Sequence, residues 1–368
     1  MDIHFNAMKI KFDELNELTK PILQSRHMDT VNIFINLDDI NSRFKNVKSN
    51  QEFQCCGAGA FKQYISNVFN LAAHYRQWAF RKGLSSKIYI YYTTAMGGFT
   101  SKVFVYDYRK RYIEDCDTNN SKCFYVNNTI DSASSYMKQI SEYIDGVYII
   151  DTKAEEPSVL PYLIAMEKPA DWNFVLSKDR IDLQYALYDK FSVLYPSTVY
   201  GAKLINSADL WNFVAMKESI ASPYVCHYDP RLYLTILGVV GDVRRSVPKV
   251  KRIGWKSIFD YLDEIWEKNK DHSIYTMIDA LEDKIQSKGS DVYESFNNNL
   301  MALSMKSRYE SMSKINKEYI LMQMTDMIDL ESLNQMNRDP ALFANWPVNI
   351  AFLTEQTGKP KNKNIWNI

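Results

Sequence analysis

The sequence predicts an α/β fold: a central, mainly parallel sheet flanked by helices, followed by a helical C-terminal region. Three observations carry this. Short, β-rich apolar runs recur at 31–37 (VNIFINL), 87–93 (KIYIYYT), 147–151 (VYIID), 173–177 (NFVLS) and 191–195 (FSVLY). Helical periodicity lies between them, clearest at 61–81, where Tyr64, Val68, Leu71, Tyr75 and Trp78 recur every three or four residues. After about residue 205 the β-rich runs stop and helical patterning continues to about 335. Alternating strands and helices, with the strands apolar throughout, are the pattern of a parallel sheet covered on both faces.

Taken in order, residues 1–30 read as an amphipathic helical lead-in to the first strand. Asp38-Asp39 follows that strand and either caps the next helix or brings acid to the strand's end. The helix at 61–81 stops before Gly83, and the second strand follows. Residues 94–133 are irregular, with Gly97-Gly98, a basic YDYRKRY run at 106–112 and a polar stretch at 114–122. A helix at 134–144 leads through Gly146 into the third strand. The next helix is expected over 156–166. Pro157 suits a first helical turn, whereas Pro161 inside a helix is unfavourable and predicts a kink or a late start. The fourth and fifth strands complete an α/β domain over 1–200. The helical region spans 201–357, and 358–368 (GKPKNKNIWNI) is a basic tail.

Composition narrows the function classes. The chain has 368 residues, 46% of them hydrophobic, with 44 bases and 44 acids and therefore no net charge. Any nucleic-acid contact must then come from a local patch. Five scattered cysteines in no metal-finger spacing suggest reduced thiols in a reducing compartment. No apolar run reaches the ~18 residues of a membrane span, and no secretory leader is expected, which points to a cytoplasmic protein. The abundance of Asn, Lys, Ile and Tyr hints at an AT-rich genome such as that of a virus or phage; the location would then be host cytoplasm. Cys55-Cys56-Gly57-Ala58-Gly59 lacks the strand, Lys-[Ser/Thr] and helix context of a phosphate-binding loop.

One stretch concentrates charge. Residues 237–262 read LGVVGDVRRSVPKVKRIGWKSIFDYL. Between positions 243 and 259 stand Arg244, Arg245, Lys249, Lys251, Arg252 and Lys256, with no acid. This is either a solvated helix–turn–helix surface or a clamp for one nucleic-acid backbone, with Lys, Arg and helix N–H groups facing phosphate. Trp255 either packs between the two helices or stacks on a sugar or base.

The stretch resembles the helix–three-turn–helix segment of the 5′-nuclease family, which includes flap endonucleases and polymerase 5′–3′ exonuclease domains. Gly241, Asp242, Val247, Pro248, Val250, Ile253, Gly254, Lys256 and Ser257 fall at the family's spacing. Arg245 stands at its second aspartate, and Lys249 and Arg252 at two of its glycines. Other landmarks follow in order over about 230 residues. The run at 175–184, VLSKDRIDLQ, is similar to the family's Val-x-Thr-Gly-Asp-Lys-Asp-Leu-Leu-Gln. The run at 146–156, GVYIIDTKAEE, is similar to its strand leading into Glu-Ala-Asp-Asp. Tyr108, Arg109, Lys110 and Arg111 resemble the basic run at the base of its helical arch.

The resemblance implies a PIN-like 5′-nuclease fold, with an arch-like insertion near 94–133 and the helix–three-turn–helix at 232–265. It implies DNA as partner, at a junction, flap or single-stranded end, together with replication or other viral proteins and no membrane. Phosphate contacts are implied at Arg109, Lys110, Arg111, Arg244, Arg245, Lys249, Lys251, Arg252, Lys256 and Ser257. The family's chemistry uses two Mg²⁺ about 3.5–4 Å apart, held by acids at strand ends. Of eight such acids three are kept, Glu156, Asp179 and Asp242, as catalytic and metal-binding remnants. The other positions hold Asn36, Thr93, Ser158 or Val159, Ile181 and Arg245. A guanidinium there repels a metal and suits a phosphate. The expectation is therefore a DNA-binding protein with an incomplete Mg²⁺ site and impaired hydrolysis, and with room for K⁺ at the helix–three-turn–helix. The alternatives are an active, divergent Mg²⁺-dependent 5′–3′ exonuclease or flap endonuclease, and a scaffold on the same fold.

Overall fold

A computed structural model describes residues 5–37, 40, 58–93, 133–134, 136–142, 144–152, 155–197, 199–242, 245, 247–250, 253–269 and 271–324. Asp38, Asp39, Arg109, Lys110, Arg111, Arg244, Lys251, Arg252 and the tail at 358–368 lie outside the described residues. In chain order the elements are α1 (Phe12–Ser25), β1 (Thr30–Asn36), α2 (Ala58–Arg81), β2 (Ser85–Tyr92), β3 (Val147–Asp151), α3 (Leu160–Glu167), β4 (Trp172–Leu176), β5 (Phe191–Tyr195) and β6 (Lys203–Ile205). Then come α4 (Leu210–Glu218), α5 (Leu232–Val240), α6 (Trp255–Lys268), α7 (Ile274–Gln286), α8 (Ser290–Leu303), α9 (Met305–Ser311) and α10 (Lys314–Met322).

The sheet has the order β3-β2-β1-β4-β5-β6. All pairs are parallel except β5 with β6. The five apolar runs are thus five parallel strands, as their composition predicts. The antiparallel edge strand β6 is only three residues long, too short to leave a periodic signal. From β1 the chain runs outward through β2 to β3, then returns to lay β4 on the other side of β1. The strand order therefore reverses between β1 and β4. In an open parallel sheet, the carboxyl ends at such a reversal leave a crevice between diverging connections.

Alternation along each strand sends side chains to two separate cores. Ile33, Ile35, Ile88, Ile90, Phe174 and Leu176 face one of them, which α2 covers with Tyr64, Val68, Leu71, Tyr75 and Trp78. All five of those α2 residues are buried, as the periodicity predicts. Each contributes on the order of 1.5–3 kcal/mol from apolar burial. Phe34, Tyr89, Tyr91, Val175 and Val193 face the other core, which continues without a break into α3 to α10. The helical region is therefore packed onto one face of the sheet.

The two prolines of the 156–166 segment resolve as expected for a late start. Pro157 opens a 3₁₀ turn over Pro157–Val159, and α3 begins only at Leu160, with Pro161 in its first turn. No backbone N–H is demanded of proline in a first turn, so neither ring breaks a helix interior. Among the described residues no helix is long and apolar enough to cross a membrane.

Candidate nucleic-acid site and its acid cluster

The crevice predicted by the strand order is filled by charge. Glu156 lies just after β3, at the N-cap of the 3₁₀ turn, where its Oε1 accepts from the Ser158 N–H at 3.4 Å. Asp179 follows β4: its N–H donates to Ser177 Oγ at 2.9 Å and its Oδ1 accepts from the Ile181 N–H at 3.2 Å. Asp242 follows α5 in a tight loop closed by two backbone hydrogen bonds with Val247, each 2.9 Å. The structure thus brings together all three acids expected to remain.

What they surround is Arg245. Its Nη1 donates to Asp242 Oδ2 at 2.8 Å and to Asp179 Oδ1 at 3.2 Å. Its Nη2 donates to Asp179 Oδ2 at 2.9 Å, Glu156 Oε1 at 3.0 Å and Ser158 Oγ at 3.3 Å. The Asp179 contact is the fork-to-fork pairing that planar guanidinium and carboxylate groups favour. The Arg245 side chain is only 8% exposed, and those of Glu156, Asp179 and Asp242 are 3%, 7% and 8% exposed. Arg245 was expected among the phosphate contacts. It lies buried instead, with both terminal nitrogens engaged by protein acids.

A fourth acid, Asp182, was not singled out by sequence. It is fully buried, and its Oδ2 accepts from Asn36 Nδ2 at 3.2 Å, across the reversal between β1 and β4. Burial first, and then the Asp179 charge, push the Asp182 carboxyl up to about 7; the hydroxyls of Ser177 and Ser158 and the Arg245 charge oppose that rise. The family comparison looked for an acid two residues after Asp179 and found Ile181. The acid stands one residue later, at Asp182 in the first turn of a 3₁₀ helix over Ile181–Leu187. The i,i+3 pair in DRID was the available signal. Asn36, at the family's first aspartate, donates where a carboxylate would have repelled Asp182.

The loop carrying Asp242 and Arg245 is held from three sides. Gly241 sits at φ +62°, and a Cβ there would lie 2.5 Å from the Pro248 carbonyl oxygen, so glycine is required. Val247, Val250 and Ile253 are buried beneath the loop, and the Val250 N–H donates to the Val239 carbonyl at 2.8 Å. From α8, Asn299 Nδ2 donates to the carbonyls of Gly238 and Pro248, both at 2.7 Å. Gln184 joins the 3₁₀ helix to the α8–α9 junction, donating to Leu303 O at 3.0 Å and accepting from the Met305 N–H at 2.9 Å. At the end of edge strand β3, the Gln323 amide pairs with both backbone groups of Asp151, each at 3.0 Å. The last helices, for which the sequence suggested no role, brace the site.

The outward side of the same segment differs. Lys249, Lys256 and Ser257 are exposed. The N-terminus of α6 has no side-chain cap and no acid in its first turn, and Lys256 lies in that turn. A cation there opposes the helix dipole, whereas an anion would complement it. Trp255 is not an open stacking platform. Its ring stacks against Phe259 at 6.3 Å, and Arg180, paired with Glu218 at 3.1 Å, lies 5.2 Å above it.

Among the described residues, no group of three or more His, Cys, Asp or Glu converges so as to hold a metal ion. The physical reason is the guanidinium, around which the acids are arrayed. The donor set therefore does not fit a divalent ion while Arg245 is in place.

No protein-family model matches the chain, and no curated protein matches it in sequence. Solved structures do match in fold. A T5 protein co-crystallized with metal ions aligns at a TM-score of 0.50 and 12% identity, over 80% of this chain and 96% of that one. The bacteriophage T5 flap endonuclease, in a pseudo-enzyme–product complex with DNA and metal ions, aligns at 0.49 and 12% over 80% and 98%. T5 5′-exonuclease with bound zinc ions aligns at 0.49 and 12% over 80% and 96%. The chain thus shares the fold of that T5 protein: a mainly parallel sheet flanked by helices, with a helical C-terminal region.

Proposed function

We propose that this protein grips DNA at forks, flaps or single-stranded ends and does not hydrolyse it efficiently, acting as a pseudoenzyme on a nuclease fold in replication or repair. The observation that carries the reading is the Arg245 guanidinium seated among Glu156, Asp179 and Asp242. Phosphodiester hydrolysis on this fold would need hard cations at the sheet's carboxyl end, to polarise the phosphate and activate water. One delocalised cation with both terminal nitrogens engaged by protein groups does neither. One guanidinium against three carboxylates also leaves net negative charge, which disfavours a phosphate at their centre.

Grip on DNA is assigned to the outward side. Lys249, Lys256 and Ser257 are exposed on a chain without net charge, and Lys256 and Ser257 lie in the first turn of the uncapped helix α6, so a local phosphate contact there needs no global field. Arg244, Lys251 and Arg252 belong to the same basic stretch and are assigned the same role. Fold alone does not decide activity. The test is a labelled 5′-flap and a forked duplex, with binding and cleavage read in parallel. Expected is binding that falls steeply with salt and no product in Mg²⁺ or Mn²⁺.

A second reading, a divergent Mg²⁺-dependent 5′–3′ exonuclease or flap endonuclease, draws support from Asp182 as an additional buried carboxyl in the crevice. Cleavage abolished by Asp179→Ala would establish it. Absence of binding at low salt would leave a scaffold on the same fold.

A further inference from the structure

The same cluster raises a separate question: what holds the 241–250 loop against the sheet. Three chain segments meet here around one guanidinium. Glu156 and Ser158 come from the connection after β3, Asp179 from the connection after β4, and Asp242 from the loop itself. Carboxylates from separate segments repel one another at this range in a low-dielectric interior, and something cationic must hold them. In a metal-dependent protein that cation comes from solution, and assembly of the site follows its concentration.

We infer that Arg245 is the resident cation of this site, and that it fastens the 241–250 loop to the sheet so that placement of the loop needs no divalent metal ion. Arg245 reaches the acids from the loop it fastens, only three residues after Asp242. Folding the loop therefore delivers the counter-ion and the acid together. The guanidinium stays charged at any pH the fold tolerates, so the fastening is permanent rather than tunable. A lysine could not replace it fully, because a point charge cannot pair with both Asp179 oxygens while reaching Asp242 and Glu156. For DNA, and resting on the proposed grip through this loop, the consequence is binding that persists in a chelator.

The full-length protein tests this directly. Thermal unfolding of the wild type should give the same midpoint in EDTA, Mg²⁺ and Mn²⁺, and Mn²⁺ titrated into it should remain free by electron paramagnetic resonance. A midpoint raised by Mn²⁺, or stoichiometric Mn²⁺ binding, overturns the inference without any variant. Arg245→Asp puts a further carboxylate where the guanidinium was. Its midpoint should drop in EDTA and recover in Mn²⁺, as for any ion that binds only the folded state. A folded Arg245→Asp protein indifferent to Mn²⁺ also overturns the inference; if that variant fails to fold in EDTA but folds with Mn²⁺, the inference stands. Flap-DNA binding by the wild type in EDTA separates the two proposals. Binding that appears only with Mg²⁺ sinks the resident cation. No binding under either condition sinks the proposed function and leaves the resident cation to the unfolding data.

Discussion

Two faces of one short segment use their cations in opposite ways. Arg245 points inward, loses its water and meets Glu156, Asp179 and Asp242. Lys249 and Lys256 remain exposed, and Lys256 lies at a helix terminus that already carries positive partial charge. A count of charges along the sequence treats all three alike. Their energetics are nearly inverse. The inward cation offsets buried acids and is withdrawn from ligands. The outward ones stay in solvent, where single exposed charges add little to folding. The comparison predicts that stability and affinity respond to different residues.

The largest effect should come from breaking the inward side. Arg245→Met removes the charge but keeps much of the volume, leaving three carboxylates buried without their partner. The expected loss is about 3–5 kcal/mol of unfolding free energy, read from the urea midpoint at unchanged slope. A loss below about 1 kcal/mol would mean that water reaches the acids, and the contrast between the two faces would fail.

Asp182 sharpens the inward side through pH. Its carboxyl is pushed up to about 7 in the folded state, chiefly by burial, against an ordinary value near 4 in the unfolded chain. A raised folded value favours the protonated form, so this contribution is complete at acidic pH and is lost as pH climbs through about 7. Asp182→Asn keeps an acceptor for Asn36 and removes the titration. Relative to wild type it should gain on the order of 2 kcal/mol at pH 8 and lose that advantage towards pH 4. Other carboxylates titrate in both proteins, so the difference between the two pH profiles is the quantity to measure. Parallel profiles would show that Asp182 is hydrated.

Much of the fold was legible because its signals are local. Five apolar runs became the five parallel strands, and the Tyr64–Trp78 periodicity became the buried face of α2. The three retained acids converge, because each sits where a strand or helix end fixes it. What was not legible depended on direction and on distant partners. Nothing in GDVRRSV says that Arg245 turns in, since that follows from the tight 242–247 closure and from acids some 66 and 89 residues away in sequence. Asp182 was missed because the resemblance implies the acid one residue earlier, at Ile181, and only the fold shows that Asp182 is buried beside Asn36. Arg109, Lys110 and Arg111 fall outside the described residues, and the outer arch remains an expectation.

Between the two faces stands Asn299, which reaches from α8 to the carbonyls of Gly238 and Pro248. Asn299→Ala leaves the buried Gly238 carbonyl and the part-buried Pro248 carbonyl without this donor, for an expected loss of about 1–3 kcal/mol. Because one of those carbonyls belongs to the loop and the other to α5, DNA affinity should fall as well. Affinity unchanged after such a loss would mean that the outward face keeps its shape without the brace.

The outward side gives the smallest stability effect and the most discriminating one. Lys256 lies in the first turn of α6, where a cation opposes the helix dipole and no acid offsets it. Lys256→Glu should therefore raise stability by about 0.3–1 kcal/mol. The same change should weaken flap-DNA binding and lower the slope of log affinity against log salt by about 0.9, the signature of one lost phosphate contact. A residue kept against local helix preference is expected where a ligand, rather than the fold, needs the charge. If Lys256→Glu gained stability while leaving affinity and salt slope unchanged, Lys256 would be an ordinary surface cation, and the grip would have to come from elsewhere in the segment.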